Sequence, residues 1–171
     1  MVVFLTLWTL LMISLCRRGP EEQRGNPELL QCSLQRSKVA FAMNLILMLV
    51  GLTIILLVTF VRRRSSEHQL ILIPLRVLFG LRAPRDYWHV TVMNIVLYVP
   101  FSCGLCFVMG KKYMHPVGKT ILICFILAFV AEILQFVYGS GTAELDDVLM
   151  NTFGAFLGTI PYGLCRRVYG N

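Results

Sequence analysis

Three carboxylates and three amides stand within or beside long apolar runs of this 171-residue chain. Glu132 and Gln135 lie in the run from Thr120 to Tyr138. Asp146, Asp147 and Asn151 open the last run, and Asn94 sits near the start of Val90 to Met109. Polar side chains in such runs are costly unless they pair or perform a function. Carboxylates can hold a hard divalent cation through oxygen. Asp146 and Asp147 also suit a helix N-terminus, where the backbone dipole favours anions, and Gln135 and Asn151 suit hydrogen bonds between helices. Glu132 has the weakest structural explanation, because an intramembrane carboxylate points by default to function.

Spacing predicts that these groups meet. Glu132 and Gln135 are i, i+3 and share a helix face, as do Asp147 and Asn151 at i, i+4. Folding the two runs about Gly139 to Ala143 sets Gln135 level with Asn151 and Glu132 level with Gly154. Glu132 then lies about 9 Å below the exit at Tyr138. Asn94, about a turn into its own run, enters from the same side. The Gly154-x-x-x-Gly158 pattern lets a neighbouring helix approach closely. The expectation is one polar cluster near the outer face, made by Asn94, Glu132, Gln135, Asp146, Asp147 and Asn151.

The elements that must hold such a cluster are membrane helices. The chain is 57% hydrophobic and 15% charged, with a mean hydropathy of +0.71, whereas soluble domains are about a quarter charged. The fold class is all-α: a polytopic transmembrane bundle of about five spans with one interfacial or re-entrant segment. Met1 to Cys16 is a short first helix with its N-terminus outside. Arg17 to Lys38 reads as a polar loop, and Val39 to Val61 as a span with Asn44 in its first turns. Leu70 to Leu81 is too short to cross, is interrupted by Pro74 and carries Arg76, which suits the interface. Arg85 to His89 supplies a Tyr-Trp anchor at headgroup level. Val90 to Met109, with a kink expected at Pro100, Thr120 to Tyr138 and Val148 to Cys165 complete the set. Residues 1–69 form an N-terminal membrane segment, 70–165 the main membrane domain and 166–171 a basic tail.

The net charge of +7 reflects topology, and the chain shows no nucleic-acid motif. Arg17, Arg18, Arg24, Arg36, Lys38, Lys111, Lys112, Lys119, Arg166 and Arg167 fall on one side, the larger share of the 16 basic residues. The positive-inside rule puts that side in the cytoplasm and the acidic turn near Gly141 outside. Cys103 and Cys106 form a C-x-x-C inside a span, where thiols serve as small apolar residues.

Several of these residues resemble the VanZ-like family of small membrane proteins. The resemblance rests on Leu72-Ile73-Pro74, Asn94 with Pro100-Phe101 and Gly104, Glu132 and Gln135, Leu145-Asp146-Asp147-Val148, and Asn151-Thr152-x-Gly154-Ala155 with Gly158. It covers 70–165, just over half of the chain, and the combined order of motifs is more specific than any one of them. Ser102 and Thr142 depart from it. Relatives often have glycine at the first position and arginine at the second, so Arg76 or Arg82 would have to supply a local cation and contact headgroups here. The resemblance implies low-level resistance to teicoplanin, a lipid-tailed glycopeptide antibiotic. The expected role is interaction at the outer leaflet with membrane lipids, a lipoglycopeptide or a lipid-linked cell-wall component. No cofactor, resident metal or nucleic acid is expected. The alternative is an intramembrane metal-dependent enzyme acting on a lipid-linked phosphate. Against it, no Ser-His pair and no phosphate-cradling glycine loop lie near the patch, and His89 is the nearest candidate base.

Overall fold

The computed structural model describes residues 1–16, 27–61, 70–71, 87–110, 113, 115–138 and 143–169. Five helices carry the fold: α1 (Val2–Cys16), α2 (Pro27–Val61), α3 (Tyr87–Gly110), α4 (Pro116–Val137) and α5 (Leu145–Tyr169). Two short extended pieces, β1 (Leu70–Ile71) and β2 (Ala143–Glu144), pair in parallel, with Leu70 opposite Ala143 and Ile71 opposite Glu144. Among the described residues, α2 through α5 are each long and apolar enough to cross a membrane. The 15 residues of α1 reach only about 22 Å, less than the hydrocarbon core of about 30 Å.

Some boundaries differ from those read in the sequence. Helix α2 begins at Pro27, inside the expected polar loop, and α4 begins at Pro116. Proline suits the first helical position because the N–H it lacks has no helical partner there, and its fixed φ is already helical. The Glu-Leu-Leu-Gln stretch after Pro27 consists of good helix formers. Polarity alone therefore did not mark the start of α2, whose first turns precede the span-forming stretch Ser37–Thr59. The interfacial segment expected over Leu70 to Leu81 is described only at Leu70 and Ile71, which are extended. Arg76 and Arg82 lie outside the described residues, as do the Gly139 to Thr142 turn and residues 62–64.

Helix α3 is the hub and packs on α2, α4 and α5, while α1 rests on α5 and α2. Small residues set these approaches. A methyl group on Gly104 would meet the Asn44 carbonyl oxygen at 2.5 Å and the Met48 nitrogen at 2.6 Å, and one on Gly51 would meet the Phe101 nitrogen at 2.6 Å. These pairings run in opposite directions, so α2 and α3 are antiparallel. On α5, Gly154 faces the Ile95 carbonyl, and Gly158 faces the Val99 carbonyl and the Ser102 hydroxyl. Further along, Tyr162 meets Phe107 edge to face, with ring centres 5.4 Å apart. Helices α3 and α5 therefore run parallel with their backbones in close contact. Packing of this kind, which requires glycine, drives association in lipid, where apolar burial between helices gains little.

Helix α1 is tied to the bundle through Asn44. The Trp8 indole donates to Asn44 Oδ1 at 3.3 Å, and Asn44 Nδ2 donates to the Ala40 carbonyl at 2.7 Å and to Met12 Sδ at 3.1 Å. The Cys165 thiol reaches the Thr9 carbonyl at 3.9 Å. Met1 and Phe4 lie nearer Val96, Val99 and Pro100, so α1 runs in the same sense as α3 and α5. Asn44, in the first turns of the span, is a buried hydrogen-bonding node. Cys103, Cys106, Cys124 and Cys165 are all buried.

Charge divides the described part of the molecule into two ends. Arg36, Lys38, Lys119, Arg166 and Arg167 lie where α2 and α4 begin and α5 ends. Glu144, Asp146 and Asp147 lie where α4 ends and α5 begins.

Candidate functional site at the acidic end

The site is built where α3 and α5 begin and α4 ends. Helix α4 carries Glu132 and Gln135 on its buried face, together with Ala128, Cys124 and Thr120, a 3.6-residue stripe of small and polar side chains. The opposite face, with Phe125, Phe129, Ile126 and Ile133, is exposed, as suits contact with lipid. Helix α5 buries Asp146, Asp147, Val148, Asn151, Gly154, Ala155 and Gly158. The two aspartates stand in its first turn, where the dipole favours them.

Glu132 is only 6% exposed. Its Oε2 accepts a hydrogen bond from the Glu144 backbone N–H at 3.2 Å. The extended residues of β2 thus bring the chain back onto α4 before α5 starts, and β1 pairs with them from the other side. This differs from the symmetric hairpin expected from the sequence. Residue 144 meets Glu132, while Gly154, expected level with it, faces Ile95 of α3. The physical reason is local to Ala143 and Glu144, which pair with β1 while the Glu144 N–H meets the Glu132 carboxylate before α5 starts. One role of the Glu132 carboxylate is therefore visible: it holds down the entry to α5.

Tyr98 joins the site, and the sequence reading passed over it. It is 1% exposed and stands one turn from Asn94 on the same face of α3. It packs in one core cluster with Cys124 and Ala128 of α4 and with Val148 and Ala155 of α5, within electrostatic range of Glu132. The i, i+4 relation of Tyr98 to Asn94 was the available signal; tyrosine reads as an apolar residue in a hydropathy scan.

The six polar positions singled out in the sequence therefore lie at one end, on three helices that pack on one another. Glu132, Gln135, Asp146, Asp147 and Asn151 are buried; Asn94 is half-buried with its Nδ2 enclosed. Among the described residues, Asn94 Nδ2, the Tyr98 hydroxyl and Asn151 Oδ1 are buried without a hydrogen-bond partner. No group of three His, Cys, Asp or Glu side chains among those residues is arranged to hold a metal ion.

The profile of the VanZ/LLP1 family matches residues 41–166, a stretch that contains α3, α4, most of α5, both short strands and every polar residue of the site. The chain belongs to the VanZ/LLP1 family. Among curated relatives, Protein VanZ of Enterococcus faecium is 32% identical over 74 residues, which is 43% of this chain and 44% of that protein. The aligned part thus spans less than half of that relative's length. No solved structure matches. The VanZ/LLP1 match takes in all but the first turns of α2 and ends at Arg166 in α5. It leaves out α1, which the structure nevertheless ties to the family region through Asn44 and Cys165.

Proposed function

We propose that this VanZ/LLP1 protein holds the polar part of a lipid-anchored envelope molecule at the outer leaflet, in the acidic end of α3, α4 and α5, without catalysing a reaction on it. The reading is carried by one observation: polar side chains from three packed helices, costly in hydrocarbon, are buried towards one end of the bundle. Membrane lipids are the immediate partners. A teicoplanin-type lipoglycopeptide or a lipid-linked cell-wall component is the partner that the family resemblance favours. Arg76 and Arg82, which follow β1 in the sequence, are the residues proposed to contact headgroups. The alternative is an intramembrane metal-dependent enzyme acting on a lipid-linked phosphate.

A drug-susceptibility panel tests this. Cells carrying the gene should tolerate a lipid-tailed glycopeptide better than cells without it and show no change towards a glycopeptide lacking the tail. Equal protection against both, or none, removes the lipid-anchored ligand from the proposal.

The orientation belongs to the same reading. The described Lys and Arg residues lie at the end opposite the acids, so the positive-inside rule places that end in the cytoplasm and the turn near Gly141 outside. With native cysteines replaced, a cysteine at position 141 should react with a membrane-impermeant thiol reagent in intact cells, and one at 111 only after lysis. The reverse pattern inverts the protein.

A further inference from the structure

The polar atoms left over at the acidic end have a definite chemistry. Asn94 Nδ2 is a donor, Asn151 Oδ1 an acceptor, and the Tyr98 hydroxyl can be either. Each is buried, and none has a hydrogen-bond partner among the described residues. Tyr98 is 1% and Asn151 6% exposed, so both are shielded from bulk solvent. Asn94 and Tyr98 share a face of α3 one turn apart. Asn151 lies on the α5 face that carries Gly154, and Gly154 touches the carbonyl of Ile95, the residue after Asn94. The core cluster that contains Tyr98 includes Val148 and Ala155, which flank Asn151 on α5. Buried groups of this kind cost free energy unless something pairs with them.

All three groups are uncharged, and donors and acceptors are mixed. A fully ionised phosphate offers acceptors only, so it would leave Asn151 Oδ1 unmet, and it would bring negative charge towards Glu132, Asp146 and Asp147. A sugar hydroxyl donates and accepts through one atom. It can take the Asn94 N–H, give its proton to Asn151 Oδ1, and exchange either with Tyr98. We propose that Asn94, Tyr98 and Asn151 are a binding site for an uncharged, hydroxyl-bearing headgroup, that is, the glycosyl group of a membrane lipid. The proposal rests on the headgroup-holding reading above and narrows it. The three atoms are enclosed in this conformation. The chain entering α5 is held on α4 by the bond from the Glu144 N–H to Glu132.

The test uses the full chain, stripped of lipid in a detergent without a sugar, such as an amine oxide. Native mass spectrometry then compares retention of monoglucosyl diacylglycerol and of phosphatidic acid with the same acyl chains. The glucosyl lipid should be kept and phosphatidic acid lost. Tyr98→Phe and Asn151→Leu should each weaken retention of the glucosyl lipid about tenfold. The same two variants, free of lipid, should melt no lower than the wild type, because each removes a buried polar atom that has nothing to bond. A merely structural role for these side chains predicts the opposite, a fall in melting temperature in both variants, and that result overturns the proposal. Preference for phosphatidic acid, or undiminished glucosyl-lipid binding by both variants, also overturns it and leaves the headgroup-holding reading standing. Displacement of the lipid by free glucose overturns the membrane lipid as the source of the sugar. Retention of neither lipid removes both readings.

Discussion

Replacing Gly154 with alanine should cost about 3 kcal/mol of stability, the top of the usual range for overpacking a tight contact. The added methyl group would collide with the Ile95 carbonyl and come within 2.8 Å of its carbon. Those are backbone atoms of α3 and have no rotamer into which to escape. The two parallel helices must separate, and the contact along α3 and α5 holds Asn94 and Asn151 in register. Gly158→Ala should behave similarly, because its methyl group would sit 2.5 Å from the Val99 carbonyl oxygen. Gly163 is the internal control. It lies on the same helix, and nothing stands within 4 Å of a methyl group there. Gly163→Ala should therefore stabilise the helix by about 0.5 to 1 kcal/mol. Unfolding in mixed micelles as denaturing detergent is titrated in gives the three values. Equal small effects at 154 and 163 would mean that α3 and α5 are not in backbone contact.

The second large effect belongs to Glu132. Glu132→Ala removes the acceptor of the Glu144 N–H and leaves a polar backbone group in a half-buried place, at a cost of about 2 kcal/mol. Glu132→Gln keeps a carbonyl oxygen in the same reach. It loses only the charge-assisted part of the bond, which roughly doubles its strength, so it should cost about half as much. Hydrogen exchange gives a local reading. The Glu144 amide should exchange faster in Glu132→Ala than in Glu132→Gln, and the paired residues of β1 should loosen with it, since Ile71 stands opposite Glu144. If alanine and glutamine are equally destabilising while exchange at Glu144 is unchanged, the carboxylate acts through its charge and does not anchor the turn. The susceptibility panel run on both variants then separates anchoring from ligand binding. Under the anchoring role, Glu132→Gln should retain most of the protection and Glu132→Ala should lose it.

The division between sequence and tertiary structure follows from what each kind of information encodes. Hydropathy and the placement of basic residues are local properties. They were enough to locate four long apolar helices and one short one, and to class the chain as an all-α membrane bundle. The motif order Glu132, Gln135, Asp146, Asp147, Asn151 and Gly154 was enough to indicate the family. The position of each polar residue along its own helix also followed, as a count of residues at about 1.5 Å each, but the level across helices did not, since residue 144 and not Gly154 meets Glu132. Rotation about the helix axis and the choice of partner do not follow from such a count. Gly154 and Gly158 announced a close helix approach without naming the partner, and the fold decided on α3. A two-residue parallel pairing between segments 73 positions apart, Leu70 with Ala143, has no local signature. Yet it moved the entry to α5 and gave Glu132 the Glu144 N–H as its partner. Tyr98 entered the site for the same reason. Its ring satisfies the apolar pattern of α3, and only the packing of α4 and α5 around it brings its hydroxyl into the field of Glu132.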